Sequence, residues 1–340
     1  MRLDGHVHVV GTGKNGSGCW YRPRGLTRIA APILLRTMGL PASALREDFE
    51  TLYVAALRAQ IRDADLDAAV ILAQELAHRD DGEPLPEAGS FFVPNDHVLD
   101  LARRNPEFLA AVSIHPARPD ARDELERCIA GGAVMLKCLP NVQNMDWNER
   151  RYRPFLERMA EAGLPLLAHT GSERTMPVLR PELATPRVLT QALEIGVTCI
   201  AAHCGTGMIA VDPDYFDDFV AMTRRYPNLY GDNSALAGLS LRFRPSQLRR
   251  IREDEALAAR ILYGSDLPVP PSGLVMALFG MLGWEDYRES WRLESPLARD
   301  LLLKRALGFA PASETRLASL LRPDLLAAKR VLPSGGPGRG

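Results

Sequence analysis

Eight short apolar runs rich in Val, Ile, Leu and Ala, separated by stretches of helical period, constrain the fold of this chain more than any other feature. They are Leu3–Val10, Ala68–Ala73, Phe108–His115, Ala133–Leu139, Leu164–His169, Val197–His203, Asn228–Asn233 and Ile261–Asp266. Strands buried on both faces read as continuous apolar segments, and helices between them supply the crossovers that parallel strands require. Eight such units, with no gap wide enough for a separate domain, predict an α/β fold, one (β/α)8 TIM barrel. Between the runs, Leu45, Phe49, Leu52, Ala56, Leu57 and Ile61 fall on one face of an expected helix over 45–64. Asp212-Pro213 and Ser295-Pro296 each offer a capping residue followed by Pro at the first helical position, and Gly308 stops the second helix.

Two segments exceed a minimal barrel. A long insertion after the first strand, residues 11–43, opens with Gly11-Thr12-Gly13-Lys14-Asn15-Gly16-Ser17-Gly18. This run lacks the Gly-Lys-Ser/Thr ending of a phosphate loop and does not lead directly into a helix, so a flexible cover over a site is expected. Residues 273–328 read as extra C-terminal helices closing one end. The expected organisation is a single domain over 1–328, with the lid at 11–43 and a disordered Gly/Pro-rich tail at 329–340.

Composition removes whole classes of partner. Forty-one Lys and Arg against 42 Asp and Glu leave a formal charge of -1, without the basic excess that phosphate contacts require, so no nucleic-acid partner is expected. The most apolar candidate for a membrane span, residues 26–40, is broken by Arg28, Pro32 and Arg36. The five cysteines are scattered without a Cys-x-x-Cys pair and read as thiols of a reducing compartment. A cytoplasmic protein acting on a small molecule, with no membrane partner, is the expectation.

Chemistry concentrates at the ends of the runs. In Asp4-Gly5-His6-Val7-His8, residues two apart on a strand point the same way and can present two imidazoles to one metal ion. His169 ends the fifth run, His203 the sixth and Asp266 the eighth. A lone strand-end histidine is usually structural. Barrel active sites, however, are assembled at the C-terminal ends of strands, so these five residues are expected to converge on one pocket. Glycines follow two of them, in His169-Thr170-Gly171 and His203-Cys204-Gly205, where the chain must turn away sharply.

The ordered set Asp-Gly-His-Val-His, His-Thr-Gly, His-Cys-Gly and Gly264-Ser265-Asp266-Leu267-Pro268 resembles the amidohydrolase superfamily of metal-dependent barrels over roughly residues 1–310. It is most similar to the amidohydrolase-related branch, which includes aminocarboxymuconate semialdehyde decarboxylases, other aromatic-acid decarboxylases and assorted hydrolases. The resemblance implies that His6, His8, His169 and Asp266 hold a divalent metal, usually Zn2+, with His203 as a general acid/base or a ligand of a second ion. Three neutral imidazoles and one carboxylate suit such an ion and leave room for a water.

Lys137, ending the fourth run, has two readings. Binuclear members of the superfamily bridge two metals with a carboxylated lysine from that strand, which would make two ions here; an unmodified lysine implies one ion and a substrate-facing or structural role. Trp20, Arg22 and Arg24 in the insertion are candidates for covering the pocket and binding an anionic substrate, or for simply packing on the barrel. His115 reads as a structural cap, Asp232 and Asn233 as hydrogen-bond partners of ligating imidazoles, and His78 as a surface residue.

The expected function is a metal-dependent hydrolase that uses a metal-activated water on an amide, ester or lactone, with Asp266 and His203 catalytic. A non-hydrolytic decarboxylase would use the same ligands, and a metal-binding barrel without turnover is a third reading. Related barrels often dimerise, and the C-terminal helices offer surface for a homodimer.

Overall fold

The computed structural model describes residues 1–23, 26–238 and 242–331, apart from the side chains of 26–31, 330 and 331. Arg24 and residues 332–340 of the expected tail lie outside the described residues. Each apolar run contains a strand: β1 (Leu3–His8), β2 (Ala68–Leu72), β3 (Phe108–Val112), β4 (Met135–Cys138), β5 (Leu166–His169), β6 (Cys199–Ala202), β7 (Leu229–Asp232) and β8 (Ile261–Leu262). The strands follow chain order in one eight-stranded sheet, with every neighbour parallel. After β8 the chain returns to β1, where the Gly5 N–H donates to the Tyr263 carbonyl at 3.0 Å and the His8 N–H to the Leu267 carbonyl at 2.8 Å. These bonds join the two edges into a TIM barrel, satisfying backbone groups that an open sheet would leave exposed.

Alternation along the strands sorts side chains into two environments. Leu3, Val70, Leu72, Leu109, Met135, Leu167, Ile200 and Leu262 form one cluster, which Leu317 and Leu321 of the C-terminal segment join. The intervening residues, such as Ile71, Ala110, Leu136 and Ala168, belong to the clusters that pack the outer helices. Strand β1 breaks strict alternation with an irregularity between Asp4 and Val7 in its pairing with β2. This extra residue lets Leu3 join the inner cluster while Val7 joins an outer one, and it turns His6 and His8 to the inside. Gly5 sits in the irregular segment, where a Cβ would come within 2.9 Å of Leu317 Cδ2 and 3.2 Å of the Tyr263 carbonyl.

The local expectations were refined by packing. A 3-10 turn (Ala42–Arg46) precedes the helix expected over 45–64, which begins at Phe49, because the Asp48 carboxylate accepts the Thr51 N–H and caps it there. Its buried face carries Phe49, Tyr53, Leu57, Gln60 and Ile61, with Leu52 and Ala56 half-buried and Leu45 exposed outside the helix. Ser295 caps the helix Pro296–Ala306 as expected. Asp212 caps nothing: the next helix starts at Phe216, and the Asp212 carboxylate instead binds Arg174, Ser172 and the Met208 and Ile209 N–H groups, tying together the loops after β5 and β6.

The Gly-rich opening of the insertion after β1 is filled from within. The buried Glu50 carboxylate accepts the Thr12 and Gly13 N–H groups at 2.8 Å and the Ser17 hydroxyl at 3.2 Å. The anion held by this loop is thus the protein's own side chain, which removes the phosphate-loop reading. Beyond it, Trp20–Tyr21 pairs antiparallel with Phe91–Phe92 from the loop after β2, and Phe91 meets the His8 ring edge-on at 6.0 Å. Glu50→Gln would keep the one oxygen that these three donors share but remove its negative charge and the second oxygen that accepts the Thr12 hydroxyl, at a cost of about 1–3 kcal/mol. Protease cleavage within residues 11–18 should accelerate; unchanged cleavage and melting temperature would refute this role. Among the described residues no helix is long and apolar enough to cross a membrane.

Candidate metal centre and active site

Four strand ends supply the polar residues of the barrel mouth. β1 brings His6 and His8, β5 His169, the turn after β6 His203, and the turn after β8 Asp266. His6 and His8 face each other with ring centres 5.3 Å apart, and their Nε2 atoms lie 3.3 and 3.4 Å from Asp266 Oδ1. One ligand atom from each of His6, His8 and Asp266 falls within 4.8 Å of the others, the grouping a metal ion would draw together. The structure thus brings three of the five strand-end residues into one cluster.

Asp232, at the end of β7, holds the imidazole of His6 and the backbone of His203. Its Oδ2 lies 2.9 Å from His6 Nδ1, and its Oδ1 accepts the His203 N–H at 2.8 Å and the Ser234 N–H at 3.2 Å. A carboxylate can only accept, so His6 carries its proton on Nδ1 and offers the Nε2 lone pair to the triad. His203 Nδ1 faces the Ser234 carbonyl at 3.1 Å and its hydroxyl at 2.8 Å, while that hydroxyl also donates to Asp232. The carbonyl fixes the proton on Nδ1 here too, leaving His203 Nε2, 4.0 Å from Asp266 Oδ2, as an acceptor. Asn233 accepts the Gly264 N–H at 3.3 Å and makes no hydrogen bond to an imidazole among the described residues, so the contact expected of Asp232 and Asn233 is made by Asp232. Asp232→Asn should weaken metal affinity about 10–100-fold by releasing His6, measured by competition with a zinc chelator; unaltered affinity would sink this assignment.

Burial sets the protonation states. It depresses the pKa values of His6, His169 and His203, with the positive charges of Lys137 at His6 and Arg242 at the other two adding to the effect. Neutral imidazoles are the metal-ligating form. Burial pushes Asp266 the other way, but the surrounding His6 and His8 imidazoles and Arg242 outweigh it and hold the carboxyl well below its ordinary range. His203 and Asp266 both have left-handed backbones, with φ of 60° and 64°, a conformation that non-glycine residues adopt at a cost of about 1–3 kcal/mol. Tertiary bonds hold them there: Asp232 on the His203 N–H, and the His6 carbonyl on the Asp266 N–H at 2.8 Å.

His169 is the residue that most directly bears on whether a metal fits. It stacks edge-on with His203 at 5.0 Å and lies outside the triad, yet its buried Nε2 has no hydrogen-bond partner. Leaving such an atom unmatched costs about 1–3 kcal/mol, and a cation beside the triad would satisfy it. The donor set of imidazole nitrogens and one carboxylate fits a borderline divalent ion. After His169 the chain turns at Gly171, where φ is 85° and a Cβ would clash with the Thr206 carbonyl at 2.0 Å, so glycine is required where the loops after β5 and β6 meet.

Lys137 is inside the centre. Its Nζ lies 3.2 Å from His6 Nε2, and burial pulls its pKa down. His115 is the structural cap expected: its Nε2 lies 3.1 Å from the Gln143 carbonyl and its Nδ1 accepts the Ala117 N–H. His78 is not at the surface; it is buried, with its ring 4.7 Å from that of His115. All five cysteines are buried, and burial raises each thiol, Cys19 to about 11 and Cys138 to about 12, so none is poised as a thiolate nucleophile. In the insertion after β1, the exposed Arg22 places its guanidinium over the Trp20 ring at 4.6 Å.

Two residues near the centre carry no motif. Glu173, four positions beyond His169, brings Oε2 within 3.7 Å of its Nε2. Arg242, beyond β7, reaches the loops after β5 and β6. A polar residue in a long loop has no periodicity to mark it, and the Gly171-Ser172-Glu173 spacing was the only local signal for either.

The family model for amidohydrolases matches residues 3–295. The chain belongs to the amidohydrolase family. Members of this family generally bind a divalent metal, and the His6, His8 and Asp266 cluster is where this amidohydrolase would hold one. No curated protein sequence matched the chain. Among solved structures, an uncharacterized TIM-barrel protein from Bordetella bronchiseptica superposes with a TM-score of 0.57 at 19% identity, covering 94% of this chain and 98% of the other. A "probable 2-pyrone-4,6-dicarboxylic acid hydrolase" from Acinetobacter baumannii, solved with citric acid bound, gives 0.51 at 15% identity over 91% and 100%. The 4-oxalomesaconate hydratase of Rhodopseudomonas palustris gives 0.51 at 14% identity over 98% and 99%. These similarities establish the shared barrel.

Proposed function

We propose that this amidohydrolase is a metal-dependent hydrolase of a small carbonyl compound, an ester, lactone or amide. The observation that carries the reading is the placement of Asp266 between the triad imidazoles and His203, with one carboxylate oxygen toward each. His6, His8, Asp266 and His169 would hold the ion, with zinc the best match to this donor set. When bound, zinc would supply electrophilic activation of a carbonyl and of a water molecule.

The chain's own groups then account for proton movement. Asp266 is ionised and accepts the proton of the attacking water at a carboxylate oxygen. His203, protonated on Nδ1 and unoccupied at Nε2, takes that proton over and delivers it to the departing oxygen or nitrogen. Asp232 keeps the His6 imidazole oriented through the cycle, and Ser234, itself bonded to Asp232, keeps that of His203. The lid residues Trp20 and Arg22 would screen the mouth and receive an anionic substrate at its rim, with Phe91 excluding water beside His8.

A carboxy-lyase is the second reading, favoured by the cation of Lys137 beside His6. There Asp266 or His203 would protonate the substrate carbon as carbon dioxide leaves. Zinc-loaded protein, screened against lactones, esters, amides and aromatic carboxylic acids in 18O-labelled water, separates the two. Hydrolysis places one labelled oxygen in the acid product; carbon dioxide release without label incorporation overturns the hydrolase reading in favour of the lyase.

A further inference from the structure

Two buried lysine and arginine side chains near the mouth differ from the buried cation elsewhere in the barrel. Lys304, in the C-terminal helices, is matched by the Asp300 carboxylate at 2.7 Å and the Gly264 carbonyl at 2.6 Å. Lys137 and Arg242 have no carboxylate within 4.0 Å among the described residues. Taking a cation out of water carries a large desolvation cost that a nearby anion normally offsets. Arg242 is only 4% exposed, and its two hydrogen bonds are long contacts to neutral carbonyls, 3.4 Å to Thr206 and 3.3 Å to Ser172. A guanidinium has five N–H donors, so most of its capacity is unspent.

Its location gives that capacity a use. Ser172 and Thr206 each lie three residues beyond a site histidine, His169 and His203, so the guanidinium bridges the two loops that rise from these residues. These contacts put its charge on the side of the barrel where the chain leaves β5 and β6, at the end that carries His169 and His203.

We propose that Arg242 anchors a carboxylate of the substrate, so that the enzyme acts on a carboxylic acid whose reacting group lies at the His6–His8–Asp266 centre. The planar fork matches two carboxylate oxygens, and binding the acid there supplies a directly paired anion, which no protein carboxylate among the described residues provides within 4.0 Å. A singly charged carboxylate fits better than a dianionic phosphate, because the ionised Asp266 and Asp232 lie near the same cation. The proposal rests on the metal-centre reading above and extends it by naming the substrate class.

The test compares diacids with their own monoamides, so that both members of a pair can place one carboxylate on the metal. Calorimetric titration of the zinc-loaded full chain would use glutarate, adipate and phthalate against glutaramate, adipamate and phthalamate. At least one diacid is expected to bind ten or more times tighter than its monoamide, about the effect of a charge-assisted bond. Arg242→Gln should reduce that preference below about twofold, and Arg242→Lys, which keeps charge without the fork, should fall between. If Arg242→Gln fails to fold, the wild-type and Arg242→Lys preferences decide. A diacid preference that survives Arg242→Gln, no preference in the wild type for any pair, or tighter binding of 2-carboxyethylphosphonate than of glutarate overturns the proposal. Elemental analysis of each sample keeps the two readings apart: wild-type protein without stoichiometric metal sinks the metal centre, while the acid-against-amide comparison still reports on Arg242.

Discussion

Asp266→Asn is expected to lower turnover by about 10²–10⁴-fold, the range for removing a positioned proton acceptor, while leaving the barrel folded. Asparagine occupies the same volume and keeps the backbone N–H that donates to the His6 carbonyl, so the left-handed turn after β8 is retained. What it loses is the negative charge facing His6 and His8 on one side and His203 on the other. Steady-state kinetics on the first substrate that gives a rate, with metal content measured alongside, separates loss of proton transfer from loss of the ion. His203→Gln makes the companion case: kcat should fall with metal content unchanged, because His203 stands outside the triad. Wild-type rates in Asp266→Asn would remove Asp266 from the mechanism.

Chelation is expected to abolish turnover and to lower the melting temperature by roughly 10 °C. A ligand at a thousand times its Kd stabilises a fold by about 4 kcal/mol, and for chains of this order of size each kcal/mol shifts the midpoint by about 2–4 °C. The ion would satisfy the orphaned His169 Nε2 and separate the Lys137 ammonium from His6 Nε2 by capturing the latter's lone pair. Calorimetry of chelated protein before and after one equivalent of zinc measures the effect, and His6→Ala should melt at the chelated temperature with or without zinc. Protein that holds no divalent metal as isolated and melts identically after chelation and zinc addition would exclude this centre. A stoichiometry of two ions would point to a carboxylated Lys137, which mass spectrometry detects as an added carbon dioxide on that residue.

Much of the fold was legible because it is periodic. All eight apolar runs contain barrel strands, since a strand buried on both faces must be apolar almost throughout and few other structures need eight such runs at this spacing. Boundaries were less legible. Leu45 continues the apolar spacing of the following helix yet lies outside it, because the Asp48 cap decides where the helix begins. Asp212-Pro213 has the residues of a helix start, but its carboxylate gains more partners by joining Arg174, Ser172 and two backbone N–H groups. His78 has a polar sequence neighbourhood but lies buried against His115, a contact that no local pattern encodes.

The sequence by itself determined the barrel, the strand ends at which polar residues meet, and His6, His8 and Asp266 as parts of one centre. These follow from short-range rules: the period of a strand, and the convergence of strand termini at one mouth. Tertiary structure decided how the centre works. The bulge that turns His6 and His8 inward, the Asp232 bond that fixes the His6 tautomer, the Ser234 carbonyl that fixes that of His203, the internal carboxylate that fills the Gly-rich loop and the guanidinium of Arg242 left without a carboxylate in direct contact all depend on residues distant in sequence. Hydrogen bonds and desolvation act over a few ångströms of space, whatever the separation along the chain, so the sequence names the participants and the fold assigns their partners.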